Sequence, residues 1–461
     1  MHIGRDARPI LSIIALCLLL RVVFLVLVHP WTFPAEEQLS CNDSPLYHQL
    51  ACTLLDYHRF APSATAAPDP LRTPAYPIFV SGIYAVFGRV PWLVFIAQIL
   101  LDCLSCYLIF KTLQRVLDAR VAHIAAFFFA IDPFLILHTS AFLTETLFIF
   151  LLVIVLHIYG RISSDREARP RILRYGLLGL IIGVAALVRP IALYLPIVLV
   201  AFILAANRKR IFRALQYSGI LVLAFAVVVT PWLLRNYTMF GRAALTYIDS
   251  WDLLALNVGA MEAVKRHQDL RTTSDQLLAE ADALIVADGL RPEQLNLMHK
   301  ADYWRRLAFR YILRDPVHFA MAHAKGTIFV FANLGTSDLV RFLHLPPHSM
   351  GEATSFSDMA RRFFVEKSAA EIFAAALVAP LLLITYVGLV VGLIVGWRRY
   401  DRRFLAFCLV ITLYFVAVPG ALGVVRFKLP AMPFFLGFVG IGIAHLLDRW
   451  RVKRAAAIAS Q

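Results

Sequence analysis

Residues 10–28 read ILSIIALCLLLRVVFLVLV, and residues 41–50, a short way on, read CNDSPLYHQL. The first run carries a single charge, Arg21. About 20 apolar residues suffice to cross a bilayer as a helix, so this run is read as a membrane span. It is too long and uninterrupted for the apolar part of a signal peptide and lacks a small-residue cleavage site, and further spans follow, so it is expected to stay as an anchor. Residues 41–92 then form the first stretch of chain beyond the membrane.

The whole chain agrees with this reading. Of 461 residues, 60% are hydrophobic and 16% charged, whereas a soluble domain carries about a quarter charged residues. The net charge of +15 would suit nucleic acid if it lay on one face. Instead the basic residues gather in short segments between apolar runs: Lys111, Arg115 and Arg120; 161–174; 208–213; 398–403; 449–454. That is the pattern of cytoplasmic loops, and no nucleic-acid partner is expected.

Spans are read at 10–28, 91–113, 121–131, 142–160, 175–188, 191–206, 215–234, 372–396, 404–418 and 431–447. With about ten spans and both termini cytoplasmic, every basic cluster falls inside. The chain divides into an N-terminal membrane core (1–235, with outer loop 29–91), an extracytoplasmic region with amphipathic helices (236–371), and a C-terminal group of spans with a basic tail (372–461). Residues 317–334 are apolar but carry His318, His323 and Lys325. Counting them as a span would put Arg398 to Arg403 outside, so they, like 75–87, are read as an interfacial or half-inserted helix. The sequence shows no internal repeat of the kind found in secondary transporters.

The cysteines suggest no framework. Cys103 and Cys106 share a helix face, too few thiols for a closed zinc site. Cys41 and Cys52 are expected to be free, since a helix starting near Pro45 separates them. Among the histidines, His318, His323, His344 and His348, the last two have the spacing of one helix face, but Pro346 and Pro347 break that helix and metal binding there is not expected.

Several residues can carry chemistry. Ser44 reads as an N-cap with Pro45 at the first helical position. Leu46, Leu50, Leu54 and Tyr57 then line one face of a helix lying on the membrane. Asp43 just before that helix reads as a general base or as a capping aspartate. Arg72 stands in a loop stiffened by Pro68, Pro70, Pro74 and Pro77. It reads as a phosphate or carboxylate ligand, or as a snorkelling arginine. Arg21 and Asp102 lie at similar depth inside two spans, where unpaired charge is costly, so they are expected to pair. Asp132-Pro133 reads as a helix start.

The order of motifs resembles the GT-C glycosyltransferases, in the branch that includes protein O-mannosyltransferases and the lipid A aminoarabinose transferase. The resemblance rests on Asp43, Tyr47, Leu50 and Ala51; on Arg72, Pro74, Tyr76 and Pro77; and on Thr144 to Phe148. It continues through Arg189-Pro190, Pro231-Trp232 with Arg235-Asn236-Tyr237, and Arg426 to Pro430 with Pro433. It implies an all-α polytopic helical bundle and an inverting transfer of a hexose or pentose. The donor would be a polyprenyl-phosphate-linked sugar, and the acceptor a lipid, glycan or protein outside the cytoplasmic membrane. Asp43 is the implied catalytic base. Arg72, Tyr76, Glu145, Arg189, Arg235, Arg426 and Lys428 are the implied substrate and phosphate contacts. Relatives often carry two adjacent acidic residues where this chain has Asn42-Asp43, so no cofactor is expected, though a divalent metal stays open. A phosphate leaving group, with a pKa of roughly 6, needs no general acid, so one carboxylate base suffices, unlike the glycosidase pair. The alternatives are a transporter of lipid-linked saccharide and a non-catalytic binder of it.

Overall fold

The computed structural model describes residues 3–34, 38–39, 43–164, 169–336, 339, 342, 368–418 and 420–459. The described residues are helical almost throughout, and the helices are α1 (Ile3–Val28), α2 (Ser44–Tyr57), α3 (Ala75–Phe87), α4 (Pro91–Val116), α5 (Ala119–Ile131) and α6 (Pro133–Thr139). They continue with α7 (Glu145–Ser164), α8 (Arg169–Val188), α9 (Leu195–Ala206), α10 (Ile211–Phe240), α11 (Ile248–Trp251) and α12 (Gly259–Arg266). Then come α13 (Leu270–Ala287), α14 (Leu297–Arg314), α15 (Pro316–Ala332), α16 (Ala369–Arg399), α17 (Arg402–Ala417) and α18 (Met432–Ala459).

Seven of these helices are long and apolar enough to cross a bilayer, and the bent pair α5–α6 makes an eighth candidate. The remaining two expected spans are shorter. One is the apolar stretch Pro190–Ala206 and the other is α17, with 16 residues. The break between α5 and α6 is 55°. There Asp132, extended, accepts hydrogen bonds from the amides of Phe134 and Leu135, both at 3.0 Å. Asp132 is thus the helix start its Pro neighbour suggests.

The helices pack with polar pairs and close backbone approaches. Arg21 and Asp102 do pair, both almost wholly buried, and Arg21 Nη1 also donates to the carbonyls of Ala130 at 2.8 Å and Cys17 at 3.1 Å. One guanidinium thereby joins α1, α4 and α5. A Cβ on Gly392 of α16 would lie 1.8 Å from the Phe438 carbonyl of α18, and one on Gly442 would lie 1.9 Å from the Gly388 carbonyl. Bare backbone is what allows that crossing.

The bundle has two chemically different ends. At one end Arg120 meets Asp448, Arg399 approaches Asp118 and Arg115 meets Ser164. The basic loops therefore share one face. The opposite ends of α7, α8 and α18 lie beside Glu145, Arg189 and Arg426. Over that end sits a separate small core of Leu254, Val258, Met261, Leu277, Trp304 and Leu307, from α12–α14 and a π-helical turn, Asp252–Val258.

Two local expectations are corrected. Asp43, not Ser44, occupies the cap position of α2, and its side chain makes no cap. Ser44 instead donates to the Phe142 carbonyl at 2.9 Å. The buried face of α2 is Ser44, Tyr47, Leu50, Ala51 and Thr53, while Tyr57 is exposed. The helix packs on α3 through Tyr47 and Tyr76, 5.0 Å apart edge to face; of the expected stripe Leu46, Leu50, Leu54 and Tyr57, Leu50 is fully buried, Leu46 and Leu54 are half-buried and Tyr57 is exposed. Cys52, Cys103 and Cys106 are free; Cys41, Asn42, His344, Pro346, Pro347 and His348 lie outside the described residues.

Candidate functional site

The loop before α3 is fixed from three sides. Asp69 accepts the Arg72 amide at 2.8 Å, Thr73 Oγ1 donates to the Val188 carbonyl at 3.1 Å, and Thr246 Oγ1 donates to the Leu71 carbonyl at 2.6 Å. Burial pushes the Asp69 carboxyl up, against the pull of the Arg72 and Leu71 amides. This bracing aims Arg72 at Asp43: Nη2 donates to Oδ1 at 2.7 Å. The guanidinium also lies 5.1 Å from the Tyr47 ring centre. From the far end of the chain, Arg426 Nη1 reaches Asp43 Oδ2 at 3.4 Å. Asp43 is thus held between two arginines contributed by residues 29 and 383 positions away.

Beneath this triad lies a second pair. Arg189 Nη1 is 2.6 Å from Glu145 Oε1. The Asp43 side chain is 28% exposed and that of Glu145 only 2%, so of the two carboxylates Asp43 is the one a substrate can meet. The Nε atoms of Arg72 and Arg426 are buried without an acceptor among the described residues. Both guanidiniums therefore keep donor capacity. Three arginines against two carboxylates leave this cluster one positive charge.

The remaining expected residues are placed differently. Tyr76 is fully buried. Its hydroxyl donates to Gln98 at 3.0 Å, and Gln98 in turn donates to the carbonyls of Thr139 and Ala141. It supports the floor under Tyr47 rather than facing the cleft. Arg235 donates to the Asp69 and Phe60 carbonyls at 3.1 and 3.3 Å and lies 4.5 Å from the Trp232 ring centre. It staples the loop to α10. Lys428 is buried, 3.9 Å from the Phe134 ring centre and 3.4 Å from the Tyr386 hydroxyl. Its neighbours are Phe134, Tyr386 and Asp132 rather than Asp43.

One acidic residue is brought in that no motif announced. Asp252 opens the π-helical turn and lies within electrostatic range of Arg426, Arg72, Asp43 and Asp249. Burial is the largest influence on its carboxyl, which is pushed up to about 6 despite the two arginines. Among the described residues, no three His, Cys, Asp or Glu side chains are grouped to hold a metal.

The fold, an all-helical bundle with seven helices long and apolar enough to cross a membrane, is similar to that of solved membrane glycosyltransferases. Residues 70–234, which include Arg72, Glu145 and Arg189, match the family model of the dolichyl-phosphate-mannose-protein mannosyltransferases. The chain is similar in structure to the oligosaccharyltransferase AglB of Archaeoglobus fulgidus, solved with an inhibitory peptide and a dolichol-phosphate. That similarity has a TM-score of 0.54 and 16% identity, over 98% of this chain and 52% of that one. The apo form of the same archaeal enzyme gives a TM-score of 0.55 at 16% identity, with the same coverage. ArnT of Cupriavidus metallidurans bound to undecaprenyl phosphate is more distant, with a TM-score of 0.40 and 15% identity over 93% of this chain and 76% of that one. The chain spans about half the length of the oligosaccharyltransferase structures. No curated protein matches its sequence.

Proposed function

We propose that the protein is an inverting glycosyltransferase of the cytoplasmic membrane. It moves a hexose or pentose from a polyprenyl-phosphate carrier to a lipid, glycan or protein acceptor on the outer face, with both termini inside. The carrying observation is the accessible Asp43 carboxylate clasped by Arg72 and Arg426, whose Nε atoms have no acceptor among the described residues. Guanidiniums with spare donors suit a phosphate, which takes several charge-assisted bonds at once.

In this reading the donor phosphate draws Arg426, and then Arg72, off Asp43. The freed carboxylate oxygen accepts the proton of the acceptor hydroxyl as that oxygen attacks the anomeric carbon. The bond from that carbon to the phosphate oxygen breaks, and its electron pair leaves with the phosphate. A single displacement inverts the centre. Fixed guanidiniums stabilise the charge growing on the leaving group. Glu145 holds Arg189 below the cleft and keeps the deeper charge paired. A saccharide transporter would need polar groups along a path through the spans, but Arg21 and Asp102 are consumed by each other and by carbonyls.

The test is to supply the purified protein, in lipid nanodiscs with an acceptor extract, with a panel of radiolabelled polyprenyl-phosphate sugars. Release of polyprenyl phosphate from one of them, coupled to label in the acceptor fraction, is the expected result. No release from any donor, with acceptor present, contradicts the reading.

A further inference from the structure

Arg426 reaches Asp43 from a segment whose leading turn is held by neighbours on two sides. The turn Gly420–Leu422 leads into the short helical segment Val425–Ala431 that carries Arg426. Two neighbours grip it. On one side α15 touches it by bare backbone: a Cβ on Gly326 would lie 2.5 Å from Ala421 Cα, and His323 Nε2 bonds the Ala417 carbonyl. On the other side stands Asn257, in the π-helical turn. Its Oδ1 accepts the Ala421 amide at 2.9 Å, and its Nδ2 donates to the Asp252 carbonyl at 3.0 Å.

The fit at this point is close. Gly420 has φ +75°, and a Cβ there would stand 1.5 Å from Asn257 Oδ1. Positive φ and the missing side chain both call for glycine. A π-helical turn is a rare conformation, most often found at functional positions. Here it presents Asn257 to the Ala421 amide and, at its first residue, Asp252 to the charge cluster.

We propose that Asn257 is a positioning residue: it ties the turn bearing Arg426 to the outer region, and so holds Arg426 over Asp43. Its kinetic consequence rests on the function proposed above; its mechanical part does not.

The experiment has two arms, on the full-length protein in nanodiscs, with membrane accumulation and thermal unfolding checked first. In the first, amide hydrogen exchange is followed across residues 417–431 for the intact protein, Asn257→Ala and Gly420→Ala. Exchange there rises about tenfold in both variants, as expected for loss of one hydrogen bond and its partner's packing. Unchanged exchange overturns the strut. In the second, Asn257→Ala raises the donor KM about tenfold with the acceptor KM unmoved. Asn257→Asp, which keeps the acceptor for the Ala421 amide, recovers part of the loss. In an Arg426→Ala background, Asn257→Ala adds nothing, since its effect runs through Arg426. An equal loss in both backgrounds reduces Asn257 to general stability and refutes the positioning role. If the intact protein turns over no donor, the proposed function fails, and the exchange arm still decides the strut.

Discussion

Replacing Asp252 by asparagine should stabilise the protein at neutral pH and leave it unchanged in acid. The carboxyl is pushed up to about 6 from an ordinary 3.8, first by burial and further by Asp249 and Asp43. A carboxyl raised in the native state binds its proton more tightly there than in the unfolded chain. Stability is therefore full below about pH 4, falls as pH rises through about 6, and stays reduced above it. At about 1.36 kcal/mol per pH unit, the gap between 3.8 and about 6 is worth at most about 3 kcal/mol. Asp252 keeps some exposure, so we expect a gain of about 1–3 kcal/mol for Asp252→Asn at pH 7.5, roughly half of it at pH 4.5 and almost none near pH 3. Thermal unfolding in nanodiscs at a series of pH values, read as variant minus intact protein, isolates this group. Because an ionised Asp252 cancels the positive charge left on the cluster, the variant should also bind polyprenyl phosphate more tightly at pH 7.5. A gain equal at pH 7.5 and near pH 3, or a loss at pH 7.5, would refute the electrostatic reasoning.

Three further outcomes follow from the packing and the cleft. Asp102→Asn strands the buried Arg21 and should cost about 3–5 kcal/mol, while the double variant Arg21→Met with Asp102→Leu should recover most of it; detergent-resistant unfolding temperature is the readout. Gly392→Val places side-chain atoms where the Phe438 carbonyl stands 1.8 Å from a Cβ, and should abolish accumulation of folded protein, whereas the same change at Gly219, which has open space around it, should not. Arg72→Ala should raise the donor KM more than about tenfold, and Arg72→Lys should restore it only in part, because an ammonium cannot hold Asp43 and a phosphate as a planar fork does.

Composition and charge placement made the membrane class legible, because apolar length and loop charge are local properties. The pairing of Arg21 with Asp102 was legible for the same reason: two charges at equal depth in lipid have few other partners. The roles of Tyr76 and Arg235 were not. Both are arginine or tyrosine in motif positions, and only three-dimensional contacts show that one supports Tyr47 from below and the other staples a loop. The face of α2 was legible only in part: Leu50 of the expected stripe is buried, but Tyr47 and Ala51, which are buried beside it, do not stand out in the apolar spacing. Asp252 and Asn257 carry no motif; their place follows from a π-helical turn that meets a glycine turn more than 160 residues later. Arg426 was legible as a charge near a span end, but its approach to Asp43 depends on that same long-range contact.

The measurement that bears most directly on the central claim compares the intact protein with Asp43→Asn, equally folded and inserted, for release of polyprenyl phosphate from the responding donor. Asparagine keeps the shape between Arg72 and Arg426 but cannot accept the proton. The account predicts that turnover falls by about 10²–10⁴ while the donor still binds. Equal turnover from both proteins would remove Asp43 from the chemistry and contradict the account.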